Sequence, residues 1–73
     1  MSTKLSNITK PGKFQIKSIA GAETTRLMEM GILPGSTLEM VRKAPTGFPV
    51  EIKVRSSLYT LRKSEADCIE LEV

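Results

Sequence analysis

The chain has 73 residues, of which 11 are Lys or Arg and 8 are Asp or Glu, so its formal net charge is +3. A chain this short holds one domain, and charged side chains interrupt every apolar run well before the roughly 18 residues that a membrane-spanning helix needs. The single cysteine and the absence of histidine exclude an internal disulfide and remove the commonest general base and metal ligand. We therefore expect residues 1–73 to form a single domain that is not an enzyme.

The first predicted element is a strand that starts after the turn signal Lys-Pro-Gly at positions 10–12. In the sequence KFQIKSI polar and apolar residues alternate, which places Phe14 and Ile16 on one face of the strand. The polar segment before it, MSTKLSNITK, is assigned no element. It lacks the apolar stretch and the small-residue cleavage site of a secretory signal, so we expect a cytoplasmic location.

The next predicted element is one short helix over residues 22–30, where the apolar spacing becomes helical and Leu27 and Met30 share a side. Gly31 follows, as expected where a left-handed residue ends a helix, because glycine adopts that conformation at little cost. The sequence LPGS at 33–36 predicts a type II turn, with proline at its second position and glycine at its third.

The rest of the chain predicts strands joined by turns. Three further stretches alternate polar and apolar residues: 37–43, 50–55 and 69–73. A fourth stretch, 58–62, is predicted as the strand that follows the reversal after 50–55. The prolines and glycine of APTGFP make a long hairpin tip between the first two, and Ser56 with Ser57 permits a tight reversal after the second. Ser64 is expected to cap a single helical turn that runs through Asp67.

Five short antiparallel strands and one early helix predict a mainly β fold, a small SH3-like barrel that closes on itself and hides its edges. Each interior side chain is worth about 1.5–3 kcal/mol when fully buried. The predicted interior consists of Phe14, Ile16, Leu38, Met40, Val50, Ile52, Val54, Leu61, Ile69 and Leu71.

The polar residues give no sign of a catalytic, cofactor or metal site. Cys68 has no histidine to activate it, and its place ahead of an apolar strand favours a buried structural thiol. Glu70 and Glu72 alternate with apolar neighbours, as on any solvent-facing strand. The glycines stand singly at turns and form no phosphate-binding loop. We expect no catalytic residue, no cofactor, no metal ligand and no small-molecule substrate.

The basic charge leaves nucleic-acid binding as an alternative, because small barrels bind single strands with basic grooves and aromatic platforms. Such platforms are scarce here. The chain has two phenylalanines and one tyrosine, and Phe14 is expected to be buried, which leaves Phe48 and Tyr59 for stacking. This reading therefore stays second.

Several motifs together resemble the FeoA family, the small cytosolic accessory proteins of bacterial ferrous iron uptake. They are RLMEMG at 26–31 running into LPG at 33–35, the segment 42–45, and LRK at 61–63 followed by Glu-Ala at 65–66. The resemblance implies an SH3-like barrel that acts on the cytoplasmic GTP-binding domain of the transporter FeoB without binding iron. A similar barrel occurs at the C-terminus of iron-dependent repressors, which is a further alternative.

The segment MEMGILPGS is the candidate partner-binding surface. The residues assigned to it are Leu27, Met28, Met30, Gly31, Ile32, Leu33, Pro34 and Gly35. The structural interpretation is that Leu27, Met30 and Ile32 cover one end of the barrel while the glycines and the proline steer the backbone. Met28 lies off the apolar stripe, so we expect Met28, Leu33 and Pro34 to form an exposed contact patch. Basic residues are expected to add attraction to the anionic inner leaflet, with the protein peripheral at that membrane through its partner.

Overall fold

The computed structural model describes residues 1–73, which form one antiparallel sheet of six strands with two short helices. The elements in chain order are β1 (Ser2–Lys4), a 3₁₀ turn (Leu5–Asn7), β2 (Gly12–Ile19), α1 (Thr24–Glu29), β3 (Thr37–Lys43), β4 (Val50–Val54), β5 (Ser57–Leu61), α2 (Lys63–Ala66) and β6 (Ile69–Glu72). The strand order is β1-β6-β2-β3-β4-β5. The prediction of a mainly β fold is confirmed, and no helix is both long and apolar enough to span a membrane.

The N-terminal segment forms a sixth strand that the sequence reading did not predict. Ser2 pairs with Glu72 and Lys4 with Glu70, and the Val73 N–H donates to the Met1 carbonyl at 2.9 Å. The pattern STK shows no apolar alternation because this strand is held by backbone pairing with β6 and buries few side chains. The residue that follows it, Leu5, is fully buried and was missing from the predicted core.

The C-terminal end of α1 has the geometry of a Schellman cap. Gly31 has φ +87°, its N–H donates to the Met28 carbonyl at 3.0 Å, and the Ile32 N–H donates to the Leu27 carbonyl at 3.1 Å. Leu27 and Ile32 are fully buried together, which is the apolar contact that accompanies this motif. The helix is shorter than the predicted 22–30, but its glycine stop is confirmed.

Two predicted turns differ in outcome. The type II turn at 33–36 is confirmed, since Gly35 has φ +89° and the Ser36 N–H donates to the Leu33 carbonyl at 3.0 Å. The reversal between β4 and β5 lies one residue earlier than predicted, at Arg55 and Ser56, which have φ values of 51° and 69°. Two successive positive φ values make a two-residue turn whose twist matches the flanking strands.

The cap of α2 also differs from the prediction. The N-cap position is occupied by Arg62, and Ser64 lies inside the helix. The Arg62 N–H donates to the carboxylate of Glu65 at 2.9 Å, so the acceptor comes from the third helical residue. A side chain reaching back from within the helix replaces the serine hydroxyl that was expected to cap it.

The core lies between the inward faces of the curled sheet and is closed at one end by α1. Phe14 was predicted to lie in the interior, and this is wrong, because it is half-buried and packs against the core from its edge. The buried apolar residues are Leu5, Ile16, Leu27, Ile32, Leu38, Met40, Val50, Ile52, Val54, Leu61, Ala66, Ile69 and Leu71. Apart from Phe14, the whole predicted interior is buried.

Candidate partner-binding surface

The segment from α1 to the start of β3 divides its apolar residues between the core and the surface. Leu27 and Ile32 are fully buried, so their side chains close the barrel and cannot touch a partner. Met28 is 44% exposed. Leu33 is half-buried and Pro34 is exposed. We call these last three residues, Met28, Leu33 and Pro34, the α1 patch.

The remaining residues of the predicted segment shape the helix end and the turn that follows it. Met30 and Gly31 are half-buried and Gly35 is exposed at its turn. Met30 has α-helical backbone angles at the C-cap position. The structure therefore places all eight predicted residues along one continuous stretch, of which the α1 patch supplies the accessible apolar side chains.

Backbone hydrogen bonds tie the turn that carries Leu33 and Pro34 to the sheet. The Gly35 N–H donates to the Ile16 carbonyl and the Ile16 N–H donates to the Ser36 carbonyl, both at 2.8 Å. The amide of Gln15 adds a longer contact of 3.4 Å to the Gly35 carbonyl. The turn that carries Pro34 is thus an extension of β2. A rigid support lowers the conformational entropy that a binding surface loses on association.

Tyr59 ties the end of α1 to β5. Its hydroxyl donates to the Met30 carbonyl at 2.9 Å, which satisfies one of the carbonyls that a helix end leaves without an intrahelical partner. Sequence reasoning treated Tyr59 as a residue free for stacking. That was wrong, because its side chain is half-buried and its hydroxyl is engaged. The alternation of β5 could have placed Tyr59 on the inner face with Leu61.

A buried carboxylate joins α1 to α2. Glu65 is only 3% exposed, and its Oε2 lies 3.2 Å from Nη1 of Arg26 on α1. This oxygen is at ion-pair distance but has no hydrogen bond of good geometry, while the other oxygen accepts from the Arg62 N–H. A buried carboxylate is tolerated only where such partners compensate for lost hydration. Sequence reasoning noted both Arg26 and Glu65 in separate motifs but had no means of pairing them.

Lys43 fixes the N-terminal segment to the hairpin between β3 and β4. Its ammonium group donates to the carbonyls of Ser6 at 3.1 Å and Ile8 at 2.9 Å, and lies 5.0 Å from the centre of the Phe48 ring. Phe48 is half-buried and packs on the core, so it folds back over the barrel. Neither aromatic residue expected to be free for base stacking is an open platform.

Comparison with known proteins now identifies the family. The protein-family model of the FeoA domain matches residues 3–73, nearly the whole chain. The chain belongs to the FeoA family. This confirms the resemblance drawn from the motifs around α1 and α2, and the family is linked to ferrous iron transport.

Solved structures of FeoA proteins share the fold. The FeoA-like protein of Clostridium acetobutylicum is 31% identical with a TM-score of 0.90, over 99% of this chain and 86% of that one. FeoA of Stenotrophomonas maltophilia, solved with zinc and described as an SH3-domain protein and a candidate ferrous iron transport activating factor, is 28% identical with a TM-score of 0.84, over 96% and 89%. The SH3-like class is thereby confirmed, with six strands instead of five.

A transcriptional repressor that depends on manganese shares the fold at lower identity. It is 15% identical with a TM-score of 0.83, over 97% of this chain and 36% of the repressor. At this identity the likeness concerns the fold alone. The predicted relation to a repressor module is thus seen in architecture, and the sequence match is to FeoA.

This FeoA-family chain places no group of three or more His, Cys, Asp or Glu side chains where they could hold a metal ion. Cys68, predicted as a buried structural thiol, is half-buried, and its thiol donates to the Ser64 carbonyl at 3.3 Å. A Cβ on Gly21 would lie 2.9 Å from the Cys68 sulfur, so the thiol fills space against that turn. The contacts of Cys68 are those of a packing residue.

A polar groove of about 510 Å³ lies between the N-terminal segment and α2, with no apolar side chain in its lining. The side chain of Ser6, and then Lys63 at 3.0 Å, favour the charged form of Asp67 and lower the pKa of that carboxyl. The lining of the groove carries charges of both signs, among them Lys4, Lys63 and Glu70. Its chemistry is that of a solvated surface.

Proposed function

We propose that this chain is a non-catalytic accessory protein of ferrous iron uptake that docks on the cytoplasmic GTP-binding domain of FeoB. Residues 1–73 act as one module in this proposal, located in the cytoplasm and held at the inner membrane by the transporter. The observation that carries it is the α1 patch, in which Met28 keeps 44% of its surface exposed between core residues. Methionine suits adaptable protein contacts because its side chain is flexible and polarizable.

The proposed effect on the transporter is a shift in population. A bound protein changes a conformational equilibrium only by its difference in affinity for the two states, so the α1 patch must fit one nucleotide state of FeoB better than the other. This needs no reactive group on the accessory chain. Its basic side chains add weak attraction to the anionic inner leaflet, about 1 kcal/mol for each one close to the surface.

Co-purification tests this proposal directly. The protein is mixed with the isolated GTP-binding domain of FeoB in its GDP and GTP-analogue states, and binding and GTP hydrolysis are measured. We expect a complex whose affinity differs between the two states. Equal affinity in both states would contradict regulation by population shift, and absence of a complex would contradict docking. Tight binding to oligonucleotides with a steep salt dependence would favour the nucleic-acid alternative instead.

A further inference from the structure

The second surface of interest is the open edge of β5, at one end of the sheet. β5 pairs only with β4. The two-residue turn makes Val54 and Ser57 a hydrogen-bonded pair, and such pairs alternate along an antiparallel ladder. Leu58 and Thr60 therefore point their N–H and C=O groups away from β4. No backbone bond outside the ladder involves either residue.

This edge lacks the features by which proteins usually prevent edge pairing. Those features are charged side chains, proline, bulges and very short strands. The opposite edge, β1, has three residues and carries Lys4, whereas β5 has five residues of sequence SLYTL and pairs with β4 in unbroken register. Leu58 is 67% exposed on the outer face of the sheet. An unprotected edge with an exposed apolar side chain is suited to adding another strand.

The charged side chains around the β5 edge determine which kind of additional strand could bind there. Arg55 and Arg62 flank β5 in the sequence, and Lys53 lies directly opposite Leu58; all three are exposed and none is within an ion pair. The acidic residue beside Thr60 on β4 is Glu51, which is held by Arg42 at 3.0 Å. The other nearby acid is Glu39, opposite Lys53 on the far side from β5. The edge therefore presents net positive charge.

A second copy of the chain fits this edge poorly. Antiparallel pairing of two β5 strands would bring the end of each strand that Arg55 flanks next to the end of the other that Arg62 flanks. Like charges brought close across a strand pair destabilise it. An acidic strand meets no such repulsion.

We propose that the β5 edge binds an extended acidic segment of a partner protein, which adds to the sheet as a further strand. Backbone bonds to Leu58 and Thr60 align the segment, an apolar side chain packs on Leu58, and carboxylates at its ends face Arg55 and Arg62. This surface is separate from the α1 patch, and the inference does not depend on docking to FeoB.

The test uses two synthetic peptides and NMR hydrogen exchange on the full chain. One peptide has alternating Thr and Val flanked by two Glu at each end, and the other carries Lys in place of Glu. We expect the acidic peptide to slow exchange at the N–H groups of Leu58 and Thr60, and added salt to weaken this. The N–H of Tyr59, already bonded to β4, should change little. Equal binding of both peptides, or of neither, would overturn the proposal.

Two variants make the result specific. Leu58→Pro removes an N–H that β4 does not use, which a strand edge tolerates, and should weaken the acidic peptide about tenfold. Arg55→Asn removes a charge while keeping a residue that tolerates positive φ. It should also weaken the acidic peptide, and it tests the proposal if the proline variant fails to fold. Unchanged binding by Arg55→Asn together with Arg62→Gln would contradict the charge selection. Protection of Leu58 and Thr60 in the protein alone at high concentration would show self-pairing and overturn the proposed partner.

Discussion

Lys43 shows how one side chain on the surface of a small protein stabilises a segment distant in sequence. Its ammonium group meets two carbonyls and an aromatic ring, all contributed by loops. Hydrogen bonds from charged groups are stronger than those between neutral groups because the donor carries a full charge. Lys43 therefore joins the 3₁₀ turn and the hairpin between β3 and β4.

Replacing Lys43 with methionine keeps the length of the side chain but removes both charged hydrogen bonds. We expect Lys43→Met to lower the free energy of unfolding by about 2 kcal/mol. Urea denaturation measures this. Lys17→Met is the matched control, because Lys17 is exposed and its side chain makes no hydrogen bond or ion pair with the protein, and its effect should stay within about 0.5 kcal/mol. Equal effects at the two positions would show that the contacts of Lys43 contribute nothing.

Gly31 has a backbone requirement that can be separated from packing. A Cβ at this position would meet nothing within 4 Å, so any cost of substitution arises from its φ of +87°. We expect Gly31→Ala to lower the free energy of unfolding by about 1 kcal/mol and Gly31→Asn by less, since asparagine tolerates the left-handed conformation. Thermal denaturation distinguishes them, and an alanine variant as stable as the parent would contradict the cap.

At the scale of elements, α1 is held by two contacts from the second half of the chain. Tyr59 on β5 bonds the helix end, and Glu65 on α2 pairs with Arg26 on the helix itself. A helix of six residues is far too short to be stable alone, so these contacts and the buried Leu27 determine its position. The orientation of the α1 patch therefore depends on residues that a partner would not touch.

The ion pair between Arg26 and Glu65 makes a prediction about coupling. Arg26→Ala leaves a buried carboxylate oxygen without its cation, and we expect a loss of about 1–3 kcal/mol, more than an exposed ion pair is worth. Adding Glu65→Gln removes the buried charge, so the double variant should be more stable than Arg26→Ala alone. A double-mutant cycle by urea denaturation measures this, and simple additivity would contradict the coupling.

The elements that sequence reasoning predicted are those with strong local signals. Alternation over 50–54 gave the inward faces of Val50, Ile52 and Val54, and Gly31 and Gly35 marked their turns because φ must be positive there. β1 was missed because it is stabilised by pairing with a strand at the other end of the chain. The ion pair between Arg26 and Glu65 and the hydrogen bond from Tyr59 to Met30 were missed for the same reason, since contacts between residues distant in the chain leave no periodic pattern in the sequence.

For the whole molecule, the pH dependence of stability should include a contribution from Asp67. Its pKa is lowered, first by the side chain of Ser6 and then by Lys63, so the folded state binds fewer protons than the unfolded state near that pKa. This contribution is present above the unfolded value, about 4, and is lost as pH falls through the lowered pKa. Asp67→Asn should therefore differ from the parent at pH 6 and converge with it in acid, measured by urea midpoints. A difference that persists unchanged at low pH would contradict this assignment.

The molecule as a whole combines a buried core with two accessible surfaces that differ in character. The α1 patch is apolar, while the β5 edge offers backbone groups surrounded by positive charge. The family assignment and the fold followed from motifs that the sequence displays directly. The accessibility of MEMGILPGS followed in part, since Leu27 and Ile32 are buried and Met28 is exposed as expected. Leu33, expected in the exposed patch, is half-buried, and helical phase carries no information about a residue that lies beyond the helix end.

The affinity of Met28→Asp for the GTP-binding domain of FeoB tests most directly whether the α1 patch binds the transporter. Val41→Asp is the matched control, because Val41 is 38% exposed against 44% for Met28 and lies on β3. Calorimetry should show a loss of affinity of at least about tenfold for Met28→Asp, with both variants folded and Val41→Asp binding like the parent. Equal binding by the two folded variants would contradict the account.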